Sequence, residues 1–498
     1  MAIQVGGTTV VNDSRQLQNI ASLDATTTAT IGAAAGGGSI TATASGTLAN
    51  GDTVCLNSNG TVSAITGSEV AQSVGSATSM STAASQMYES IFDPVNNKVV
   101  VFYRDGSLNL KGVVGTVSGS SISFGSQQNI GTRAEEVRAA YDTNASKILV
   151  VYRGASPYYG KARVVTVSGT SLSVGTDTTF NADESLYMGL AYDANSGKHV
   201  VVYSDNFTTT VCQTLTISGT SVSAGSQTQV SSAHSPNSYA CYDEGAQKTV
   251  LASTDGAAIG DAFVVAASIS GTSITLGTKD YFGSLYNHKW MSAVYDPDNG
   301  GCLFAYYATG ESSKGRIVRV TVSGTTATAG TPFIFEDTNN TQQIDLAYDE
   351  DSNQVLITHR SSGNCQFTVL NVNGDNFTNR TGTKEDLGTS NFTFLVYDTN
   401  ANKAVINYIS AGKVITVGYA NSNVNNENFI GFSDGAYSNG ATATIQVVGS
   451  VDDAQSGLTT GRKYYVHADG SLKTYTSIYL PDAYAGLATS ATSILVKG

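Results

Sequence analysis

The chain has 498 residues, a formal net charge of −13, 52 glycines and 6 prolines. The negative charge disfavours a nucleic-acid partner, because a phosphate backbone is held by basic side chains. No stretch approaches the roughly 18 consecutive apolar residues of a membrane span, and the N-terminus lacks the pattern of a secretory signal, so membrane insertion is not expected. Frequent glycine, threonine, serine and valine favour many short strands joined by tight turns.

The N-terminal region, residues 1–45, is low in charge and has no pattern typical of a core, so we expect it to be flexible by itself or to order only against copies or partners. A small β element is predicted at residues 46–69. Its sequence LANGDTVCLNSNGTV, from Leu48, parallels LTTGRKYYVHADGSL, from Leu458, with glycines in matching places. A small β domain is therefore also predicted at residues 421–498.

A motif recurs seven times within residues 70–420. Each copy contains an aromatic residue followed by Asp, and successive copies are 49, 51, 50, 53, 53 and 49 residues apart. A fixed period of this length indicates a repeat architecture. The seven pairs are Phe92-Asp93, Tyr141-Asp142, Tyr192-Asp193, Tyr242-Asp243, Tyr295-Asp296, Tyr348-Asp349 and Tyr397-Asp398.

Each repeat contains four strand-like segments, which we name A, B, C and D. In the second repeat they are EVRAAYD from Glu136, KILVVY from Lys147, KARVVTVSG from Lys161 and SLSVG from Ser171. Their β-branched or alternating residues are bounded by turn residues. Four-stranded units with a period of about fifty residues are typical of β-propeller blades. The predicted fold is therefore all-β: a seven-bladed β-propeller of four-stranded blades with small β elements at both ends.

The seventh repeat lacks segment D after Val414. The sequence SVGS at Ser73 matches SFGS at Ser123 in the first D segment. We therefore expect Val70–Gly75 to complete the last blade, which removes an otherwise exposed sheet edge. Both flanking regions then leave from the face that carries the A–B and C–D turns. The opposite face, formed by the D–A and B–C loops, is left unobstructed, and we call it the free face.

Recognition is expected on the free face, because loops that vary on a repeated scaffold commonly carry binding residues. Aromatic rings stack on the apolar faces of sugars, and arginines bind carboxylate or sulfate groups through two parallel hydrogen bonds. The candidate ligand-binding residues are the free-face side chains of these types that do not recur, together with the arginines that end B segments. They are Tyr158, Tyr159, Phe207, His288, Trp290, Arg104, Arg153 and Arg360.

No catalytic residue, metal site or cofactor is predicted. The turns at Asp296 and Asp349 are similar to the start of a calcium-binding loop but lack its later glycine and glutamate, so Asx turns are preferred to weak calcium binding. Paired loop carboxylates could cleave a glycan at a suitable separation, but solvated acids are the preferred interpretation. These loop acids are Glu135, Glu136, Asp183, Glu184, Glu336 and Asp337. The five cysteines lack metal-binding spacing and are expected to be buried and unpaired.

The two ends of the chain resemble virion fibre proteins of tailed phages, particularly those of marine cyanophages. The similar segments are IQVGGTTVVNDSRQLQNI from Ile3, GLTTGRKYYVHADGSL from Gly457 and GLATSATSILVKG from Gly486. They cover about a quarter of the chain, and copies of such segments differ widely between phages. The resemblance implies a tail-fibre-like protein on the phage particle surface. It also implies attachment and oligomerisation through residues 1–45 and a homotrimeric state.

The preferred hypothesis is a non-enzymatic adhesin. Its propeller loops would bind a polysaccharide or protein on the host cell surface, and other tail or capsid proteins would be its partners in the particle. The alternative is a structural protein that decorates or braces the virion without binding a receptor. A glycan depolymerase is the third hypothesis.

Overall fold

The computed structural model describes residues 3–5, 8–11, 38–80, 84–256, 260–285, 292–308, 313–338, 341–350, 352, 354–380, 384–389, 392–408, 411–417, 419–425, 428–475, 480 and 483–497. In these residues all regular elements are β-strands, so no helix that could cross a membrane is found there. The all-β prediction is confirmed. The chain forms two compact units, one of Met1–Ala71 with Gly418–Gly498 and one of Gln72–Val417.

The first strands of the chain belong to the unit that contains both ends. They are β1 (Ile3–Val5), β2 (Thr8–Val11), β3 (Ser39–Thr43), β4 (Thr53–Leu56), β5 (Val62–Ala64) and β6 (Gly67–Val70).

The repeat unit, Gln72–Val417, contains the next thirty-four strands. They are β7 (Ser73–Val74), β8 (Thr78–Ser79), β9 (Ala84–Asp93), β10 (Lys98–Asp105), β11 (Leu110–Ser118), β12 (Ser121–Phe124), β13 (Gln128–Gly131), β14 (Glu135–Asp142), β15 (Lys147–Arg153), β16 (Tyr159–Ser168), β17 (Ser171–Val174), β18 (Thr178–Asp193), β19 (Lys198–Asp205), β20 (Thr209–Ser218), β21 (Ser221–Ala224), β22 (Thr228–Ser231), β23 (Tyr239–Asp243), β24 (Lys248–Thr254), β25 (Gly260–Ser270), β26 (Ser273–Leu276), β27 (Asp280–Leu285), β28 (Ser292–Tyr295), β29 (Cys302–Ala308), β30 (Lys314–Ser323), β31 (Thr326–Ala329), β32 (Phe333–Glu336), β33 (Gln342–Asp349), β34 (Gln354–Ser361), β35 (Asn364–Asn373), β36 (Asn376–Asn379), β37 (Glu385–Thr389), β38 (Thr393–Asp398), β39 (Lys403–Tyr408) and β40 (Ala411–Thr416).

In each of the first six repeats, strands A, B, C and D pair antiparallel in sequence order, as β14, β15, β16 and β17 do in the second repeat. A further short segment also pairs with strand C. In the second repeat, β17 pairs with the end of β16, and the first residues of β18 pair with its beginning. The strand β18 then continues as strand A of the third repeat.

The last repeat takes its fourth strand from the chain that precedes the first repeat. Strand β40 pairs with β7 through Ile415 opposite Val74, and with β8 through Gly412 opposite Thr78. Val70, which the sequence placed in the same segment, instead pairs with Tyr419 in the other unit. The repeat unit accordingly begins at Gln72.

The sheets follow one another in cyclic order. The A strands are β9, β14, β18, β23, β28, β33 and β38, and each lies beside the next, with β38 beside β9. Among the described residues, seven apolar clusters lie between consecutive sheets, including one between the last repeat and the first. Val100 and Phe102 enter one cluster, whereas Val99 and Val101 enter the next, because successive residues of a strand point to opposite faces.

The recurring Asp residues close the A–B turns. Asp142 is buried, and its Oδ1 accepts hydrogen bonds from the backbone N of Asn144 at 3.0 Å and of Ala145 at 2.8 Å. Asp296 accepts in the same way from Asp298 and Asn299, so the Asx turn predicted there is present. The five cysteines are buried and unpaired, as expected.

The C-terminal strands complete the unit that contains both ends. They are β41 (Tyr419–Ser422), β42 (Phe429–Ser433), β43 (Thr442–Gln446), β44 (Val451–Asp452), β45 (Lys463–Val466), β46 (Leu472–Lys473), β47 (Tyr484–Ala488) and β48 (Ile494–Val496). One sheet has the order β3, β43, β42, β4, β5, so strands from before and after the repeats pair with each other. The hairpins β4–β5 and β45–β46 repeat one turn, in which Gly60 and Gly470 have φ of 80° and 79°.

Candidate functional site

Free-face loops of the first three repeats meet at a group of charged side chains around Tyr158. We define the Tyr158 cluster as Arg104, Glu135, Arg153, Tyr158 and Glu184. Arg153 lies at its centre: Nη1 is 2.7 Å from Glu135 Oε2, and Nη2 donates to Glu184 Oε1. The Arg153 guanidinium carbon also lies 4.1 Å from the centroid of the Tyr158 ring, which is a cation–π contact. Arg104 approaches Glu135 at 3.4 Å.

The backbone of neighbouring loops holds this cluster in place. The N–H of Tyr158 donates to the carbonyl of Ala155 at 2.9 Å, which closes a tight turn. The Tyr158 carbonyl accepts from the N–H of Ser185 at 3.2 Å, and the N–H of Asn206 donates to the carbonyl of Glu184 at 2.8 Å. The loops of the second and third repeats are therefore linked through their main chains.

The ring of Tyr158 borders a cavity. Its side chain is 41% exposed, and the cavity has a volume of about 270 Å³. Leu108, Arg133 and Tyr158 have left-handed backbones with φ of 68°, 49° and 69°, a conformation that costs a residue with a side chain about 1–2 kcal/mol. The surrounding loops hold these conformations, so the cavity shape is built into the backbone. The cavity is lined by Leu108, Arg133, Glu135, Ala155, Ser156 and Tyr158.

A second aromatic side chain lies on the loop next to the cluster. Phe207 is 47% exposed, and its ring packs edge-to-face with His234 at a centroid distance of 5.9 Å. Its neighbour Asn206 is the residue that donates to the carbonyl of Glu184. Phe207 is therefore next in the chain to a residue that is hydrogen-bonded to the Tyr158 cluster.

The remaining predicted residues have other settings. Tyr159 is half-buried at the start of β16, where it pairs with Glu184 in β18. Arg360 belongs to the sixth repeat, where its Nη1 donates to Gln342 Oε1 at 3.0 Å. His288 and Trp290 lie outside the described residues, and their role stays a prediction.

The loop acids fall into different environments. Glu135 and Glu184 are part of the Tyr158 cluster. The prediction that Glu336 is a solvated acid is wrong. Glu336 is buried, and its carboxylate is hydrogen-bonded to His359 at 3.0 Å and to Lys384 at 2.7 Å. Burial alone would raise the pKa of Glu336, but hydrogen bonds from His359, Lys384 and Thr338 together hold it well below its usual range.

Sequence reasoning missed a group of polar side chains on the A strands. Glu89, Arg138, Tyr239 and Asp345 each lie three residues before the aromatic of an aromatic–Asp pair. The signal was present in the sequence, since comparison of the seven repeats at this place would have singled them out. Arg138 donates from Nη2 to the hydroxyl of Tyr239 at 2.9 Å.

No protein-family model and no curated protein matches this chain. A solved structure of a protein from Lactobacillus plantarum is 12% identical, with a TM-score of 0.45 over 61% of this chain and 85% of that one. A structure of SapL1 lectin in complex with alpha methyl fucoside is 12% identical, with a TM-score of 0.39 over 62% and 97%. A structure of a PL25 ulvan lyase is 10% identical, with a TM-score of 0.43 over 67% and 93%. These values are too low to assign a family or an activity.

Proposed function

We propose that this chain is a non-enzymatic adhesin that binds a cell-surface glycan through the Tyr158 cluster. One observation carries the proposal. An exposed tyrosine ring borders a preformed cavity on the free face, and its neighbour Arg153 is fixed by two carboxylates. Tyr158 is 41% exposed, so part of its side chain is accessible to a ligand.

This combination suits a sugar. The C–H face of a pyranose stacks on an aromatic ring, and aromatic packing contributes about 0.5–1.5 kcal/mol beyond buried area. Hydroxyl groups of the sugar would donate to Glu135 and Glu184 and accept from the arginines. Because Arg153 is already held by both carboxylates, little side-chain freedom is lost on binding, which otherwise costs about 0.5–1.5 kcal/mol per side chain.

The carboxylates support binding over hydrolysis. A glycosidase needs one carboxyl group that gives a proton and a second that acts as base or nucleophile. Glu135 and Glu184 are both engaged by the guanidinium of Arg153. In that arrangement both act as hydrogen-bond acceptors, which favours recognition of sugar hydroxyls.

We further propose that the repeat unit is a seven-bladed β-propeller. The cyclic order of the A strands and the apolar clusters between consecutive sheets support seven blades. The pairing of β40 with β7 and β8 supports closure of the ring, since it supplies the last sheet with its missing strand.

The place of the protein in a virion is proposed from the ends of the chain. Their resemblance to tailed-phage fibre proteins supports a homotrimeric fibre on the particle surface, with other tail or capsid proteins as partners. The unit that contains both ends is consistent with a module separate from the repeats. The host receptor would then be a surface polysaccharide or protein.

A glycan array probed with the full chain tests the adhesin proposal. We expect binding to a subset of bacterial surface glycans, and we expect Tyr158→Ala to weaken it by at least about tenfold, which is 1.4 kcal/mol. Tyr475→Ala is the matched control, because Tyr475 is an exposed tyrosine of the other unit at 63% exposure. Release of reducing ends would favour the depolymerase. No binding to any glycan or host cell would favour the structural alternative.

A further inference from the structure

The position three residues before the aromatic of each aromatic–Asp pair carries a different residue in each of the seven repeats, whereas the position directly before the aromatic is always apolar. Immediately before the aromatic of each aromatic–Asp pair, all seven repeats carry an apolar residue: Ile91, Ala140, Ala191, Cys241, Val294, Ala347 and Val396. Two residues earlier the seven residues are all different, and five are polar: Glu89, Arg138, Gly189, Tyr239, Ser292, Asp345 and Phe394. The fold therefore does not require one residue type at this place, which leaves it open to a binding role.

These side chains surround a cavity between the A strands, which we call the axial cavity. Its volume is about 480 Å³, within the range of small-molecule sites. Six of the seven residues at this place line it: Glu89, Arg138, Tyr239, Ser292, Asp345 and Phe394. The axial cavity is separate from the Tyr158 cluster, because the two share no lining residue.

The guanidinium of Arg138 is already engaged. Its Nη2 donates to the Tyr239 hydroxyl at 2.9 Å, and its Nη1 donates to the carbonyl of Val137 at 2.8 Å. Its guanidinium carbon also lies 4.9 Å from the centroid of the Tyr239 ring. Arg138 is thus held against Tyr239 through two of its nitrogens, while its Nε is buried without a hydrogen-bond partner among the described residues.

The carboxylate of Asp345 is also well supplied with donors. It accepts from the hydroxyl of Ser292 at 2.7 Å, from the N–H of Leu346 at 3.0 Å and from the N–H of Leu395 at 2.8 Å. Three hydrogen bonds from neutral groups satisfy its oxygens without cancelling its charge. Burial raises the pKa of Asp345 to about 6, so at pH 7 its carboxylate adds negative potential to the axial cavity.

Glu89 is the lining carboxyl group that can accept further hydrogen bonds. Its carboxyl accepts from the N–H of Ser90 at 3.3 Å and from the N–H of Ala139. Burial, with the nearby Asp345 carboxyl as the second cause, raises the pKa of Glu89 to about 8. The ionised form is thus short of positive charge, although Arg138 offsets part of the deficit.

The net charge of the cavity lining also favours a positively charged ligand. The lining contains one guanidinium, that of Arg138, and four carboxyl groups, those of Glu89, Asp345 and the solvent-exposed Glu244 and Glu350. Gln343, which also lines the axial cavity, is 7% exposed, and its Oε1 has no hydrogen-bond partner among the residues that the structure describes. A buried acceptor without a partner costs about 1–3 kcal/mol, so a donor is missing at this point.

We propose that the axial cavity binds a small organic cation that carries a primary ammonium group. The ammonium has three N–H donors and one positive charge. It donates to the carboxylate of Glu89 and to Oε1 of Gln343, while the apolar part of the ligand lies against the aliphatic and aromatic lining. This function is independent of glycan binding at the Tyr158 cluster.

The alternative is that the polar group only locks the repeats together. Glu89, Arg138, Tyr239 and Asp345 come from the first, second, fourth and sixth repeats, so their interactions would also stabilise the ring. A lock requires no empty volume and has no preference between a cationic and a neutral ligand. Binding of a cation, measured directly, separates the two interpretations.

Isothermal titration calorimetry of the full chain with n-butylammonium, and with n-butanol as the neutral counterpart, tests the proposal. We expect n-butylammonium to bind, and n-butanol to bind at least about tenfold more weakly. Glu89→Gln should weaken n-butylammonium by a similar factor. Asp386→Asn is the matched control, since it removes one carboxylate from an exposed site on β37 and should leave the affinity unchanged. Gln343→Met, which removes the unpaired acceptor at nearly constant size, provides a second variant if Glu89→Gln does not fold.

The binding should also release a proton. The ligand favours the ionised form of Glu89, so at pH 7 about one proton leaves on binding and the affinity rises by up to about tenfold per pH unit between pH 6 and 8. Titrations in buffers with different ionisation enthalpies measure this release. The other titratable groups near Glu89 or in the lining are Asp345, Arg138, Glu136, Glu244, Glu350, Tyr141, Tyr239, Tyr295, Tyr348 and Tyr397. Equal binding of n-butanol, or a Glu89→Gln variant that changes only stability, would overturn the proposal in favour of a structural lock.

Discussion

The hydroxyl of Tyr295 accepts a hydrogen bond of 3.0 Å from the backbone N of Gly245, 50 residues earlier in the chain. The same bond, at 3.1 Å, joins Tyr242 to Asn195 in the preceding repeats. The aromatic–Asp pair thus has two structural roles. Its Asp closes the turn of its own repeat, and its tyrosine holds the turn of the repeat before it.

Removing the carboxylate of one recurring Asp should unfold the turn it closes. Asp142→Ala removes the acceptor of two hydrogen bonds from turn N–H groups that are partly exposed, and each such bond contributes about 0.5–1.5 kcal/mol, so we expect a loss of about 1–3 kcal/mol in the free energy of unfolding. Asn144→Ala is the control, because Asn144 contributes its backbone N, which alanine retains. Urea unfolding of both variants measures the difference. Similar losses in the two variants would contradict this account of the turn.

The glycine that directly follows strand D is required by the next repeat. An ideal Cβ on Gly175 would lie 2.1 Å from the carbonyl oxygen of Thr220, so Gly175→Ala should force the two sheets apart and cost about 1–3 kcal/mol or more. Gly330 holds the same place in the fifth repeat, but its nearest atoms would be 3.4 Å away, and Gly330→Ala should be nearly neutral. Thermal unfolding distinguishes the two variants. Equal midpoints would mean that the sheets do not meet as closely as described.

The pairing of β7 with β40 can be tested by cross-linking. Val74 lies opposite Ile415, so Val74→Cys with Ile415→Cys should form a disulfide under mild oxidation. The bond closes a very long loop, and its stabilisation should reach at most about 4–5 kcal/mol. Val74→Cys with Val414→Cys is the control, since residue 414 points to the other face of the strand. Non-reducing mass spectrometry reads out both, and cross-linking of the control pair alone would refute the register.

A buried histidine should make the repeat unit sensitive to acid. His199 is fully buried, and burial lowers its pKa to about 4, although the nearby Asp142 opposes this shift. The unfolded chain binds a proton at a pKa of about 6.5, so the folded form loses stability as the pH falls from 6.5 to 4. The expected loss from this residue is about 3 kcal/mol.

His199→Val removes the titrating group and introduces the residue that the first and sixth repeats carry at this place, Val99 and Val355. We expect its unfolding free energy to fall less between pH 7 and pH 4 than that of the original chain, by about 3 kcal/mol. Urea unfolding at pH 7, 5.5 and 4 measures this difference. His234→Ala, at a half-buried histidine of the free face, is the control for the loss of an imidazole. Parallel pH profiles for the original chain and His199→Val would contradict the prediction.

The contacts of two buried arginines could not be predicted from the period of the repeat alone. Repeats five and six lack the lysine that begins strand B elsewhere and carry Gly301 and Gln354 instead. The structure fills these places with buried arginines: Arg319 donates to Asp296 at 2.5 Å, and Arg380 donates to Gln354 at 2.9 Å. Neither arginine shares a local pattern with the residue it contacts, so the pairing was not predictable from spacing.

The sequence by itself determined the all-β class, the seven repeats and the strand at residues 73–74 that pairs with the last repeat. These features follow from short-range physics, because β-branched alternation, Asx turns and tight glycine turns are encoded within a few neighbouring residues and recur with a fixed period. Only the tertiary structure decided that Arg153 joins Glu135, Glu184 and Tyr158, and that polar side chains of four different repeats meet in the axial cavity. These contacts depend on how strand register and cyclic packing bring together residues of different strands and repeats. Arg153 and Glu135 are 18 positions apart, and Arg138 and Tyr239 are 101 positions apart, and no local pattern specifies such pairs.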